Sequence, residues 1–271
     1  MTTFDAVLDL SCYNREQAES AWESLGARSR RWLHLSSAAV YAVVSTRPHH
    51  EDDPVGGGAA WGTYGRNKAA ADGFVAGLDT QTPRLCLRVP YLYGLADPDA
   101  RETYMWSRIL QGRPILIPGR GDARIEVLHV EDLADALLRC LLTPLGDTGV
   151  FNISASEAYT LSDWVRCMAG VCGVIHKEVL MGTSSTDFPD TQYFPFPNVQ
   201  CQLDGTRFQR SYAWSPAFTL FSGLSEMFRA IDATALRKLS LITDLEDFLL
   251  RRRRLAGTLS IVHGVVSEAR R

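Results

Sequence analysis

Three side chains between residues 37 and 68 are of the types that move protons to and from a carbonyl or alcohol oxygen. Tyr64 and Lys68 stand four positions apart in YGRNK, and Ser37 lies upstream in HLSSAAVY. Residues at i and i+4 share one face of a helix, and a nearby ammonium favours the phenolate form of a tyrosine. The tyrosine can then act as acid and base near neutral pH, with the serine hydroxyl as a second anchor for the reacting oxygen.

A tyrosine and a lysine at this spacing are weakly specific, because the same pair also occurs on the surface of ordinary helices. The serine adds weight, since Ser37 directly follows the apolar segment 31–36 (RWLHLS), which is a predicted strand. Open α/β sheets place their sites at the carboxyl ends of parallel strands. The three residues together therefore predict a hydride-transfer site.

The elements that must position these residues alternate along the chain. The predicted strands are 4–10 (FDAVLDL), 31–36, 84–89, 125–130 and 150–153, and the predicted helices are 17–25, 64–78, 104–111 and 131–142. Strands separated by helices favour right-handed crossovers and a parallel sheet. The predicted fold class is α/β, a partial Rossmann-like, doubly wound parallel sheet that lacks its first strands.

The character of the sequence changes after Ser154. Thr160 with Asp163 three positions later predicts a helix cap, 183–198 predicts a loop, and 219–231 predicts an amphipathic helix. We therefore divide the chain into a Rossmann-like part (1–153), a smaller substrate-binding lobe (154–235) and a tail (236–271). The tail is predicted to be a helix followed by an apolar segment.

Composition limits the classes of function. A net charge of −3 argues against a general nucleic-acid binder, and the basic run 251–254 is expected on a solvated helix face. The six cysteines are scattered without a C-x-x-C pair, so no metal or redox motif is predicted. Neither a signal peptide nor a membrane-spanning stretch is apparent, and a cytoplasmic location is the expectation.

Several segments, taken in order, resemble the extended short-chain dehydrogenase/reductase family, the NAD-dependent epimerase/dehydratase group. They are HLSSAAVY (34–41), YGRNK (64–68), LRVPYLYG (87–94), RIEVLHVEDLADAL (124–137) and GVFNIS (149–154). Val89 stands where this family usually has proline. The likeness extends from residue 4 to about 231, over the family's second half and its C-terminal lobe.

The resemblance implies a role for each matching residue. Ser37 and Tyr64 would bracket the substrate oxygen, with Tyr64 as acid and base, and Lys68 would tune Tyr64 and bind the nicotinamide ribose. The other implied roles are cofactor contacts at Leu10, Ser11 and Pro90, and substrate contacts at Ala38, Tyr91 and Arg124. The implied cofactor is NAD or NADP, and the implied substrate is a small molecule such as a nucleotide sugar.

Some residues in the matching segments have an alternative interpretation. Arg124 could equally be a surface arginine in a salt bridge, and His129 is expected to be structural. Tyr41 and Tyr93 are expected to pack in the interior.

One departure from the family narrows the reaction. Its sugar 4,6-dehydratases carry Asp-Glu directly after the catalytic hydroxyl, whereas this chain has Ala38 and Ala39. Methyl groups cannot move protons, so a 4,6-dehydratase is not expected. Epimerisation through a transient ketone and simple ketone reduction both remain open.

The family's opening strand and G-x-x-G-x-x-G turn, which hold the cofactor diphosphate, have no counterpart here. The glycines 56–58 follow Glu-Asp-Asp-Pro instead of a strand, so they are predicted to form a loop on the substrate side. Segment 4–10 matches the family's fourth strand and should lie at a sheet edge. Three explanations stay open: a fragment or mis-assigned start, an edge paired with another chain such as a homodimer, or a relative that no longer binds the dinucleotide tightly.

Three functions are consequently compared. The first is an NAD(P)-dependent epimerase or ketone reductase, which the intact Ser37, Tyr64 and Lys68 favour. The second is a non-catalytic binding or regulatory relative, RNA-binding included, and the third is an inert truncated product. The missing phosphate loop favours the second, and poor solubility or fast proteolysis of the chain would indicate the third.

Overall fold

A computed structural model of the chain describes residues 3–95, 100–144, 148–182, 188–239, 244–255 and 262–263. The strands are β1 (Val7–Asp9), β2 (Trp32–Ser37), β3 (Arg84–Val89), β4 (Tyr91–Tyr93), β5 (Pro114–Ile117), β6 (Arg124–His129), β7 (Gly149–Asn152), β8 (Ala158–Thr160), β9 (Lys177–Leu180) and β10 (Val262–His263). The helices are α1 (Arg15–Leu25), α2 (Gly62–Ala76), α3 (Arg101–Leu110), α4 (Val130–Leu142), α5 (Leu161–Cys172), α6 (Thr206–Tyr212), α7 (Leu220–Ala230), α8 (Ala233–Lys238) and α9 (Asp244–Leu255).

The chain divides into two compact units, each drawn from three segments. The first unit contains Met1–Tyr93, Glu126–Ala158 and Gln200–Ala217. The second contains Gly94–Ile125, Tyr159–Val199 and Phe218–Arg271.

A parallel sheet in the order β1-β2-β3-β7 organises the first unit. Successive side chains on a strand point to opposite faces, and both faces of this sheet are covered. Trp32 and Cys86 pack with residues of α1 and α2 on one face. Leu33 and Leu85 pack with residues of α4 and α6 on the other. The doubly wound α/β class predicted from the sequence is thereby confirmed.

The first strand lies at an edge of this sheet, as the sequence predicts. Within the described residues β1 pairs with β2 alone, in the register Val7↔Trp32 to Asp9↔His34. Leu8 within this strand and Leu10 just after it are exposed. The strand is shorter than the predicted 4–10, although Phe4 adds one parallel bridge to Ser29.

The second unit contains α3, α5, α7, α8 and α9 with a small sheet in the order β10-β9-β5. The predicted helix cap is confirmed, because the Thr160 hydroxyl accepts the Asp163 amide hydrogen at 3.0 Å at the start of α5. The basic run lies on α9, where Arg251 and Arg252 are exposed. Part of the predicted loop 183–198 and most of the apolar tail segment lie outside the described residues.

A third sheet has the order β4-β6-β8. No helix in the described part of the chain is both long enough and apolar enough to span a membrane.

Candidate active site

The two serines at the end of β2 have different environments. Ser36 is buried, and its hydroxyl donates to Asp72 Oδ2 at 2.7 Å. Ser37 is partly exposed, and its Oγ accepts the Ala39 amide hydrogen at 3.2 Å, which caps the single 3-10 turn Ala38–Val40. No described residue accepts the hydroxyl hydrogen of Ser37. Ser37 is therefore the member of the pair that can donate to a bound oxygen.

Glycines allow the backbone around this turn and the start of α2 to make contact. A Cβ atom at Gly65, next to Tyr64, would lie 2.8 Å from the Ala39 carbonyl oxygen. A Cβ atom at Gly57, which has a φ of +76°, would lie 2.3 Å from the Arg66 nitrogen. The Gly57 amide also donates to the Val40 carbonyl at 2.9 Å. The glycines thus close the loop onto the helix that carries Tyr64, and they do not form a strand-to-helix phosphate turn.

Lys68 is buried and lies about one helical turn after Tyr64 on α2. Its Nζ donates to the backbone carbonyls of Cys12 at 2.9 Å and Leu35 at 2.7 Å. Burial lowers the pKa of Lys68 below its usual value, although the nearby Cys12 and Asp9 oppose that shift. An ammonium has three hydrogens, so one remains for a ligand. Among the described residues Lys68 makes no hydrogen bond to Tyr64, and its predicted tuning of Tyr64 stays a prediction.

Tyr64 is 41% exposed, and its ring lies 5.7 Å from the ring of Tyr13, centroid to centroid. Leu10 and Ser11 come between the end of β1 and Cys12, whose carbonyl Lys68 contacts, and both are exposed. The predicted residues Leu10, Ser11, Ser37 and Lys68 thus lie near the carboxyl ends of β1 and β2, and Tyr64 lies on the same helix as Lys68. The roles assigned to them remain predictions.

A buried polar network supports this region and was not predicted from the sequence. The Arg88 guanidinium donates to both Asp72 oxygens, at 3.0 and 2.7 Å, and to the Tyr41 hydroxyl at 3.2 Å. Tyr41 in turn donates to Asn152 Oδ1 at 2.6 Å. The network therefore ties α2 to β3 and β7 beneath the candidate site. Spacing rules give no signal for this network, because Arg88 and Asp72 lie on different elements, 16 positions apart.

The other residues predicted to contact cofactor or substrate are Pro90, Tyr91 and Arg124, and they lie on different elements. Pro90 follows β3, and the Tyr91 ring packs edge-on against Trp61 with centroids 5.9 Å apart. Arg124 begins β6, is exposed and belongs to the second unit, so its substrate contact stays a prediction.

The expected packing residues do pack. Tyr41 and Tyr93 are buried. His129 is buried too, and its Nδ1 accepts the Glu131 amide hydrogen at the start of α4.

A small pocket lies beside the turn that follows Ser37. Its wall is mostly apolar, includes the polar side chains of Tyr41, His49 and Gln200, and contains no lysine or arginine. The lining residues are Ala38, Tyr41, Val43, Val44, His49, Gly58, Trp61, Gln200 and Cys201. Such a wall suits an uncharged group better than a phosphate.

Comparison with known proteins gives a match to a sequence family. A sequence model of the NAD dependent epimerase/dehydratase family matches residues 16–154, about half of the chain. The chain is also 26% identical over 226 residues to the chloroplast stem-loop binding protein of 41 kDa b from Arabidopsis thaliana. That match covers 83% of this chain and 58% of the relative, so the chain spans little more than half of the relative's length.

Solved structures share the fold at low sequence identity. The dTDP-glucose 4,6-dehydratase from Bacillus anthracis in complex with NAD has a TM-score of 0.67 and 19% identity, over 83% of this chain and 71% of that chain. The UDP-glucuronic acid 4-epimerase from Bacillus cereus in complex with UDP-glucuronic acid and NAD has a TM-score of 0.64 and 18% identity, over 82% and 66%.

Proposed function

The chain belongs to the NAD dependent epimerase/dehydratase family, and we propose that it is an enzyme that oxidises or reduces a carbinol carbon of a nucleotide-sugar-like substrate. A bound nicotinamide dinucleotide, NAD or NADP, would supply the hydride acceptor and donor. Tyr64 is the proposed acid and base, and Ser37 the second hydrogen-bond partner of the reacting oxygen. The observation that carries the proposal is the backbone contact of Gly65 with Ala39, which joins the segments of Tyr64 and Ser37.

The residues of the first unit fit the nicotinamide half of such a cofactor. Lys68 has one hydrogen left for a ribose hydroxyl, and the exposed Leu10 and Ser11 border the same loop. No G-x-x-G-x-x-G occurs in the 271 residues, so this sequence provides no glycine-rich cradle for the diphosphate. The proposed role for these residues is therefore to orient the nicotinamide end of the cofactor.

Proton movement in the proposed reaction rests on Tyr64. Its phenolate would accept the hydroxyl proton of the substrate as the ketone forms, while Ser37 donates a hydrogen bond to the same oxygen. In reduction Tyr64 returns that proton. An epimerase would perform both the oxidation and the reduction on one bound substrate. A ketone reductase would perform only the reduction.

A 4,6-dehydratase is the disfavoured member of this group. The elimination needs a proton donor and acceptor beside the catalytic hydroxyl, and the side chains there are the buried methyl groups of Ala38 and Ala39. The similarity to the solved dTDP-glucose 4,6-dehydratase, at 19% identity, is a similarity of fold and does not assign that reaction to this chain.

The test measures cofactor binding and turnover separately in the full chain. NAD(H) and NADP(H) are titrated by fluorescence, and UDP-sugars are assayed with each cofactor. We expect Tyr64→Phe to retain cofactor affinity and to lose at least about a hundredfold in kcat. Tyr13→Phe, which removes the hydroxyl of the neighbouring ring, is the matched control and should retain activity. Full activity in Tyr64→Phe would contradict the proposed mechanism.

A second candidate is the non-catalytic, RNA-binding function. The similarity to a stem-loop binding protein over 83% of the chain favours it, and the net charge of −3 opposes it. Stem-loop RNA affinity that falls steeply with salt, together with no binding of either dinucleotide, would support this candidate over the enzyme.

A further inference from the structure

Three buried side chains of different ligand types meet at the end of β1. Asp9 pairs with His34 across β1 and β2, so the two side chains lie on one face of the sheet. Cys12 follows in the loop after β1. One ligand atom from each of the three lies within 4.8 Å of the others, and all three residues are buried. The cluster is separate from Ser37 and Tyr64, although Lys68 contacts the Cys12 carbonyl.

The Asp9 and His34 side chains are close to the spacing of two ligands on one metal ion. His34 Nδ1 lies 3.0 Å from Asp9 Oδ2, and Asp9 Oδ1 accepts the Cys12 amide hydrogen at 3.1 Å, which fixes the carboxylate. Ligand atoms bonded to one tetrahedral zinc ion at about 2.0–2.3 Å are roughly 3.3–3.7 Å apart. A shift of a few tenths of an ångström would therefore open the pair to accept an ion.

The donor set and its surroundings indicate the class of ion. A thiolate, an imidazole and a carboxylate together are ligands of Zn²⁺, whereas Mg²⁺ and Ca²⁺ prefer oxygen alone. His34 Nδ1 faces Asp9 and is the proposed ligand atom of the ring, and the buried Nε2 has no hydrogen-bond partner among the described residues. Lys68 donates to the carbonyls of Cys12 and Leu35, and these bonds leave the three ligand atoms available.

We propose that Asp9, Cys12 and His34 form a site for a zinc-like divalent cation, with a solvent molecule as the fourth ligand. Binding would release the Cys12 thiol proton and replace the hydrogen bond that this thiol donates to the Asn14 carbonyl. The site would also fix the loop after β1, because Cys12 lies within that loop.

The experiment uses the purified, metal-free full chain with Co²⁺ as a spectroscopic probe and Zn²⁺ as competitor. We expect one Co²⁺ per chain, a sulfur-to-cobalt charge-transfer band, and loss of that band when Zn²⁺ is added. Cys12→Ser should abolish the band and weaken Co²⁺ binding at least about tenfold. Cys167→Ser, which removes a partly buried cysteine of the second unit, should retain both.

Absence of stoichiometric Co²⁺ binding, or a charge-transfer band that persists in Cys12→Ser, would overturn the proposal. If Cys12→Ser does not fold, Asp9→Asn is measured instead with all six cysteines present. A Co²⁺ affinity at least about tenfold lower supports the site, and an unchanged affinity overturns it. These readouts do not depend on enzymatic activity.

Discussion

Arg88 and Asp72 form a two-pronged ion pair inside the first unit, with side chains only 4% and 2% exposed. The pair joins β3 to α2, the helix that carries Tyr64 and Lys68. Asp72 also accepts the hydroxyl hydrogen of Ser36, the neighbour of Ser37. One carboxylate therefore fixes the position of α2 relative to the strand of the proposed catalytic serine.

Asp72→Asn should be strongly destabilising. It leaves the Arg88 guanidinium without a charge partner in the interior, and breaking one side of a buried pair costs about 3–5 kcal/mol. Chemical denaturation gives the change in the free energy of unfolding. The matched control is Asp135→Asn in the exposed pair with Arg139, where a loss below about 0.5 kcal/mol is expected. Equal losses in the two variants would contradict the structural role of Asp72.

Replacement by alanine should have opposite effects on stability at two glycines of α2. Gly65→Ala places a methyl group 2.8 Å from the Ala39 oxygen and should cost about 1–3 kcal/mol. It should also lower kcat more than it changes KM, because it separates the segments of Tyr64 and Ser37. Gly73→Ala has nothing within 4 Å of the new Cβ and should stabilise the helix by roughly 0.5–1 kcal/mol. Thermal unfolding and steady-state kinetics measure both effects.

Lys68→Met should affect both stability and activity. It leaves two backbone carbonyls, of Cys12 and Leu35, without their donor, which costs about 1–3 kcal/mol. We also expect weaker dinucleotide binding, measured by fluorescence titration. The exposed Lys177→Met, in the second unit, serves as control and should change stability by less than about 0.5 kcal/mol. Unchanged stability in Lys68→Met would show that these hydrogen bonds contribute little.

Strong local patterns made most of the first unit predictable. β3 coincides with the predicted 84–89, and α1, α2 and α4 lie within a few residues of their predictions. Apolar runs and helical periodicity are local signals, and these elements are long. The strands β4, β5, β8 and β9 were missed, because three or four residues carry too little pattern, and the helix α6, with only two turns, was missed too.

Contacts between distant segments could not be predicted from spacing. Asp9 and His34 are 25 residues apart, and only the register of β1 against β2 brings them together. The motif rules used for metals rely on closely spaced ligands, so this cluster gave no signal in the sequence. Arg88 was likewise noted only as part of a strand, and its ion pair with Asp72 depends on how α2 packs.

Glu126 should make the stability of the protein depend on pH. Burial raises the pKa of Glu126 to about 8, although the amides of Leu203 and Ala155 donate to the carboxylate and oppose the shift. Because the pKa is higher in the folded than in the unfolded chain, the protonated form stabilises the fold at low pH. That contribution should decline from about pH 4.5 and be lost by about pH 8, a change of roughly 2–4 kcal/mol. Denaturant unfolding between pH 5 and 9 should show this decline in the parent and a flatter profile in Glu126→Gln. The exposed Glu131→Gln should keep the parent's slope, and a slope that survives in Glu126→Gln would assign the pH dependence to another group.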